Sequence, residues 1–185
     1  IKMVGSGHPN GRYNELCFLR WLAMGNVGGF MTDYDVFPLH NTSNLIPRND
    51  NFTVFETVAN HGGGIPCYMH GSSDEWTRMA HIILEIAHNE PPPDKERDGW
   101  TDFFALMRVH EKTPDSYLKH DVVINAKDYL MKDPHVGSQT DCDSLSPYNA
   151  IHLSHSDLAR SNRRIFERPE LAKAFMHQYE EKCSD

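Results

Sequence analysis

The chain has 185 residues, with 26 acidic against 18 basic side chains and a formal net charge of -8. This balance disfavours a nucleic-acid partner, because phosphate backbones are bound by clustered lysine and arginine. Hydrophobic residues make up 39%, charged residues 24%, and the mean hydropathy is -0.58, so a packed globular chain is expected, most simply one domain over residues 1–185.

Residues 13–27 are helix formers and apolar almost all round, which predicts a buried helix stopped by Gly28-Gly29. Within it, the longest apolar run, residues 17–24, is interrupted by Arg20 and is far shorter than the roughly 20 residues that cross a bilayer, so no transmembrane segment is expected. Phe30-Met31-Thr32 predicts a short strand leading into Asp33 and Asp35, and Pro38 forbids regular continuation. Two further strands are expected at residues 52–55 and 65–69. Ser72 with Glu75 then forms a capping-box pattern, opening a helix to about residue 88 whose Trp76, Met79 and Ile83 recur at core spacing. His81 and His88 on that helix share a face but lie too far apart to chelate one ion.

A solvated loop over residues 91–98 precedes Thr101, a candidate cap for a helix through about Val109. Residues 122–125 and 150–155 read as strands, and two helices follow, the second opening at Pro169. No repeat is visible, and alternating strands and helices predict an α/β fold.

The four cysteines are widely spaced with no CxxC pair, which argues against a zinc ribbon; Cys142 and Cys183 could be a disulfide or two free thiols. Asn41-Thr42-Ser43 and Asn51-Phe52-Thr53 are N-glycosylation sequons, meaningful only in a secretory compartment. The chain opens at Ile1 without an initiator methionine or a basic-then-apolar leader, which leaves room for a targeting segment removed upstream.

The chemistry centres on Asp33-Tyr34-Asp35. About one such triplet is expected by chance in an aspartate-rich chain of this length, and Asp141-Cys142-Asp143 is a second one in a polar stretch. The first is better placed, because ligands of open α/β sheets bind outside the carboxyl ends of strands. Paired carboxylates there suit a hard cation, Mn²⁺ or Mg²⁺, which completes its shell with water and substrate phosphate.

The stretch NELCFLRWLAMGNVGGFMTDYDVFPL resembles the DxD sugar-binding region of glycosyltransferase family 32, in which a helix carries Leu-x-Arg, a Gly-Gly turn follows, and a strand ends in Asp-x-Asp. Arg20, Gly28, Gly29, Asp33 and Asp35 fall at the family's spacing without a gap. Gly99-Trp100-Thr101-Asp102 looks like a further family segment, and His152 or His155 like its metal-side histidine. The resemblance implies a GT-A nucleotide-sugar transferase fold with a mixed sheet flanked by helices, and Mn²⁺ or Mg²⁺ held by Asp33, Asp35 and one or both histidines. It implies donor contacts from Arg20, Gly28, Gly29 and Asp33, and Asp102 as the residue that orients the acceptor or acts as base. Transfer of a hexose to a glycan or protein acceptor, with retention and in the Golgi, follows from the same resemblance.

Two positions depart from the family. Cys17 stands where the family carries a donor-sugar aspartate, and only residues 1–12 precede the helix where a base-binding βαβ half belongs, so either the chain is a fragment or that half is missing. A non-catalytic relative, serving as a structural or scaffold subunit of a larger assembly, is therefore the alternative. A metal-dependent hydrolase ranks below both, because Ser72 and Ser73 read as helix caps rather than nucleophiles. Each candidate also has a structural reading: a solvated turn for the triplet, an ion pair for Arg20 with Asp33 as one partner, and an ordinary helix start for Thr101-Asp102.

Overall fold

A computed structural model describes residues 11–41, 45, 51–58, 62–90, 100–126 and 142–183. The chain is mixed α/β and divides into two compact units, one of residues 1–31 and 47–120, the other of residues 32–46 and 121–185.

In the first unit, helix α1 (Gly11–Val27) packs against α2 (Ser73–Asn89) and α3 (Asp102–Lys112). Four strands, β1 (Gly29–Thr32), β3 (Thr53–Val54), β4 (Tyr68–Gly71) and β5 (Leu118–Lys119), form a sheet in the order β1-β4-β3-β5, with β3 antiparallel to β4 and parallel to β5. Phe18, Trp21, Phe52, Trp76, Met79, Ile83 and Leu106 are its buried centre. Trp21 stacks on Phe52 at 5.4 Å between centroids, and Phe52 meets Trp76 edge-on at 4.6 Å. Such large side chains each contribute about 1.5–3 kcal/mol on burial.

The end of α1 shows why two glycines stand there. Gly28 has φ +66°, donates its N–H to Met24 O at 2.8 Å, and approaches α2 so closely that a Cβ would lie 2.8 Å from Ser73 N. Gly29 follows with φ +89°. A side chain at position 28 would meet both strain and backbone. Helix α1 itself departs from the sequence expectation: Phe18 and Trp21 are buried, but Leu16, Leu19 and Leu22 are 49%, 41% and 44% exposed. The face that carries Phe18 and Trp21 packs toward α2 and α3, and an apolar sequence does not bury the whole helix.

Helix α2 starts as its sequence predicts, with Ser72 Oγ accepting from Glu75 N at 3.3 Å. The return half of the capping box is diverted. Glu75 accepts instead from Phe52 N at 2.8 Å and from Arg78 through Nε and Nη2, each at 2.7 Å, which ties the first turn of α2 to the approach of β3.

The second unit is built on a three-stranded sheet in the order β2-β7-β6, from β2 (Val36–Pro38), β6 (Val123–Asn125) and β7 (Ala150–His152). β2 runs antiparallel to β7, pairing Val36 with His152, and β6 runs parallel to it, pairing Asn125 with the same histidine. Sequence reading ends regular structure before Pro38; the structure places a strand there, with proline as its last residue, where the lost donor costs least. Among the described residues three α-helices follow β6: α4 (Cys142–Leu145), α5 (His155–Arg160) and α6 (Arg168–Cys183). Leu145, Ile151, Leu153, Leu158 and Phe175 form the core.

Cys142 and Cys183 are joined as a disulfide with a Cα–Cα distance of 5.4 Å, fastening the first residue of α4 to the last of α6. Among the described residues no helix is long and apolar enough to cross a membrane.

Candidate functional site

The candidate residues fall into two clusters, one in each unit. In the first unit Arg20 projects from α1 and donates through Nε to Asp102 Oδ2 at 2.9 Å, with Nη2 2.7 Å from the same oxygen. Nη2 also donates to Pro66 O at 2.7 Å, and Trp21 Nε1 donates to Asp102 Oδ2 at 2.7 Å. Asp102 is the first residue of α3 and is 2% exposed. Burial pushes its pKa up, against the opposing pull of Arg20, of Trp21 and of the Phe103 backbone N–H. Thr101 occupies the N-cap position but makes no side-chain cap bond.

The carboxylate that answers Arg20 is therefore Asp102, from a segment 82 residues away. Their placement is that of a strut between α1 and α3, and it holds Asp102 away from solvent. Cys17 is buried on the same helix. Elsewhere in the unit, the buried Cys67 thiol donates to Glu56 at 2.7 Å, a pairing that no motif announces.

The second cluster surrounds the acidic triplet. Val36 N donates to Asp33 O at 3.2 Å and Thr32 Oγ1 donates to the same carbonyl at 3.1 Å, so Asp33, Tyr34 and Asp35 lie on a tight turn between β1 and β2. Tyr34 is 81% exposed, whereas Asp35 is 7% exposed. The Asp35 backbone carbonyl accepts from Leu153 N at 2.9 Å, which fixes the turn to the residue after β7.

Its carboxylate is bracketed by an imidazole and a guanidinium: His152 Nε2 lies 3.5 Å from Oδ1, and Arg168 Nη2 lies 3.2 Å from Oδ2. Burial would raise the pKa of Asp35, but the hydrogen bond and charge of His152 and the charge of Arg168 together hold it below the ordinary carboxylate value. Arg168 also donates through Nη1 to Tyr34 Oη at 2.6 Å, and its guanidinium carbon lies 5.1 Å from the centre of the Tyr34 ring. Arg168 Nε is buried and has no hydrogen-bond partner among the described residues.

The residues expected to hold a metal are thus only partly gathered. Asp35 and His152 face each other, and their carboxylate oxygen and imidazole nitrogen are donors that Mn²⁺ accepts. His155 is the exposed first residue of α5. Among the described residues, Asp33, Asp35, His152 and His155 do not bring any three ligand atoms within 4.8 Å of one another. A cation held here would take two protein ligands, one of them an imidazole nitrogen, and draw the rest of its shell from water and phosphate.

Gly28 makes the turn before β1 and Gly29 opens the strand, its carbonyl accepting from Trp76 Nε1 at 3.0 Å. Ser72 caps α2, and Ser73 Oγ donates to Gly25 O, so both serines are occupied in holding α2. In the other triplet, Cys142 is in the disulfide and Asp143 is exposed, while Asp141, like Gly99, lies outside the described residues. His81 and His88 are exposed on α2.

Arg168 is the residue that sequence reading misses. Its neighbour Pro169 marks the start of a helix, but nothing local says that the preceding arginine reaches back 134 residues to Tyr34 and to the adjoining Asp35. The one available signal was an arginine in the first turn of a helix, the end at which a cation is disfavoured by the helix dipole and therefore needs an acidic partner. No family model, no curated protein and no solved structure matches the chain.

Proposed function

We propose that this chain is a metal-dependent glycosyltransferase of GT-A type, transferring a hexose from a nucleotide-sugar donor to a glycan or protein acceptor. The observation that carries the reading is the spacing from Arg20 through Gly28-Gly29 to Asp33 and Asp35, set on a helix, a glycine turn, a short strand and a tight turn in that order. Asp35 and His152 would hold Mn²⁺ or Mg²⁺, and Asp33 would face the ribose or sugar of the donor. The ion, when bound, supplies the positive charge that a departing nucleoside diphosphate requires.

Arg20 and Asp102 serve this site indirectly, because each is already satisfied by the other; their part is to fix α1, which carries the glycine turn. The disulfide between Cys142 and Cys183 supports assembly in an oxidising compartment, as a Golgi transferase requires.

The scaffold reading has its own observation: Asp35 is already paired with Arg168 and faced by His152, and Cys17 occupies the place of the donor-sugar acid. A thermal-shift panel separates the two. Wild-type protein and Asp35→Ala are each melted with Mn²⁺ or Mg²⁺ alone and together with UDP, GDP and their sugars. Metal-dependent stabilisation by one nucleotide sugar, absent in Asp35→Ala, is the expected result. Equal shifts in both proteins, or none in either, would remove the transferase reading and leave the scaffold.

A further inference from the structure

We propose that Asn51 carries an N-linked glycan, attached before β3 docks into its sheet. Two independent observations meet at this residue. The first is chemical: Asn51-Phe52-Thr53 supplies the amide and the hydroxyl two residues on that glycan transfer needs. The second is the state of the cysteines. Cys142 and Cys183 are bonded to each other, while Cys17 and Cys67 are buried, so the chain presents no exposed thiol. That is the pattern of a protein folded in an oxidising lumen, which is also where lipid-linked oligosaccharide is available.

The local structure agrees with a modified side chain at this position. Asn51 is exposed immediately before β3, whereas Phe52 and Thr53 are fully buried. Thr53 Oγ1 donates to Asn51 O at 3.1 Å and is closed off from solvent, so an enzyme can use that hydroxyl only while the segment is still extended and undocked. The finished fold keeps room for the product. Asn51 borders an open groove of about 240 Å³ whose wall is formed by Glu75, Arg78, Asp115 and Ser116, hydrogen-bonding groups that suit a sugar ring.

A glycan here would also guard an edge. β5 is the last strand of its sheet and pairs with β3 beginning at Leu118, whose N–H donates to Phe52 O at 2.8 Å. Edge strands are open to pairing with other chains, and a bulky hydrophilic group beside one blocks that approach. In the transfer, Asn51 Nδ2 forms a bond to the anomeric carbon of the reducing-end sugar of an oligosaccharide carried on a polyprenyl diphosphate. The bond from that carbon to the diphosphate oxygen breaks, the diphosphate leaves with the electron pair, and Nδ2 gives up one proton.

The test reads the peptide that contains Asn51, since the other sequon has its Thr42 and Ser43 outside the described residues. The chain is isolated from its own cells and also secreted from a eukaryotic host as wild type, Asn51→Gln and Thr53→Ser. Each sample is treated with peptide-N-glycosidase in heavy-oxygen water, and position 51 is read by mass spectrometry together with the non-reduced peptide joining Cys142 to Cys183. Heavy-labelled aspartate at position 51 in the native protein and in the secreted wild type and Thr53→Ser, with one mobility step lost in Asn51→Gln, is the expected outcome. Unmodified Asn51 in native protein whose disulfide is formed, or a free Cys142 thiol in that protein, would overturn the proposal.

Discussion

Each unit of this chain contains a buried aspartate faced by an arginine, and the two pairs are built for different ends. Asp102 sits at the start of α3 beneath Trp21, meets Arg20 through a single oxygen, and is enclosed by the aromatic core of its unit. Asp35 lies on a turn whose neighbouring Tyr34 is exposed, and it spreads its two oxygens between His152 and Arg168. Burial wins for the first and raises its pKa, whereas partner charges win for the second and lower it. The difference teaches that pairing alone does not mark a functional carboxylate. What distinguishes Asp35 is the imidazole beside it, the unused Arg168 Nε–H, and the exposed side chain next along the turn.

If the first pair is a strut, breaking it should have the largest effect on stability. Asp102→Ala strands the Arg20 guanidinium and the Trp21 N–H inside the core, and should lower unfolding free energy by about 3–5 kcal/mol in urea titrations. The double substitution Arg20→Met with Asp102→Leu should recover much of that loss, because removing both charges spares the penalty of an unpaired one. A loss below about 1 kcal/mol for Asp102→Ala would show that the pair is not enclosed as described.

Next in size is the staple of the second unit. Replacing Cys142 and Cys183 by serine should cost about 2–4 kcal/mol, as expected for a disulfide closing a loop of this order. The loss should appear in hydrogen exchange of α6 and β7, and protection of α1 and α2 should stay as it was. Uniform loss of protection across both units would contradict the division into two compact bodies.

A pH titration sharpens the comparison further. A carboxylate whose folded pKa is lowered adds stability that is present above its ordinary value and disappears as pH falls through the folded value; Asp35 is of this kind. A carboxylate whose folded pKa is raised behaves oppositely, because the folded state holds its proton longer, and stability falls as pH rises from the ordinary to the raised value. Asp102 is of that kind. Carboxyl carbon NMR should therefore show Asp102 titrating above, and Asp35 below, the usual aspartate range. Asp35→Asn should remove the acid-side loss that Asp35 causes, leaving the contribution of Asp102 in place.

How much of this could be read from residues alone follows a simple physical division. α1, its glycine stop, β1 and the Ser72 cap of α2 are local events, decided by periodicity, positive φ and a side chain reaching three residues along, and all are legible. The strand at residues 36–38 is not, because its pairing with β7 overrides what Pro38 says locally. The partner of Arg20 was knowable only as some carboxylate: burial of a guanidinium demands one, but sequence does not say that it is Asp102. Arg168 was invisible for the same reason in reverse, since helix-opening arginines are common and its side-chain partners Tyr34 and Asp35 lie far away along the chain. The exposed leucines of α1 show the opposite error, an apolar pattern promising more burial than one packed face provides.

The smallest effect is the most discriminating for the candidate site. Tyr34 contributes little core surface, so Tyr34→Phe removes only the acceptor for Arg168 Nη1 and should cost about 0.5–1.5 kcal/mol. Tyr34→Ala also removes the ring beneath the guanidinium, adding about 0.5–1 kcal/mol at such an exposed position. If Tyr34 only steadies the Asp35–Arg168 pair, both substitutions should move stability slightly and leave the metal-dependent thermal shift of the wild type intact. If the exposed ring instead meets the donor, Tyr34→Ala should abolish the shift produced by nucleotide sugar while sparing the shift produced by the metal ion alone. The second pattern would assign the middle residue of the triplet to substrate and leave Asp35 to the cation.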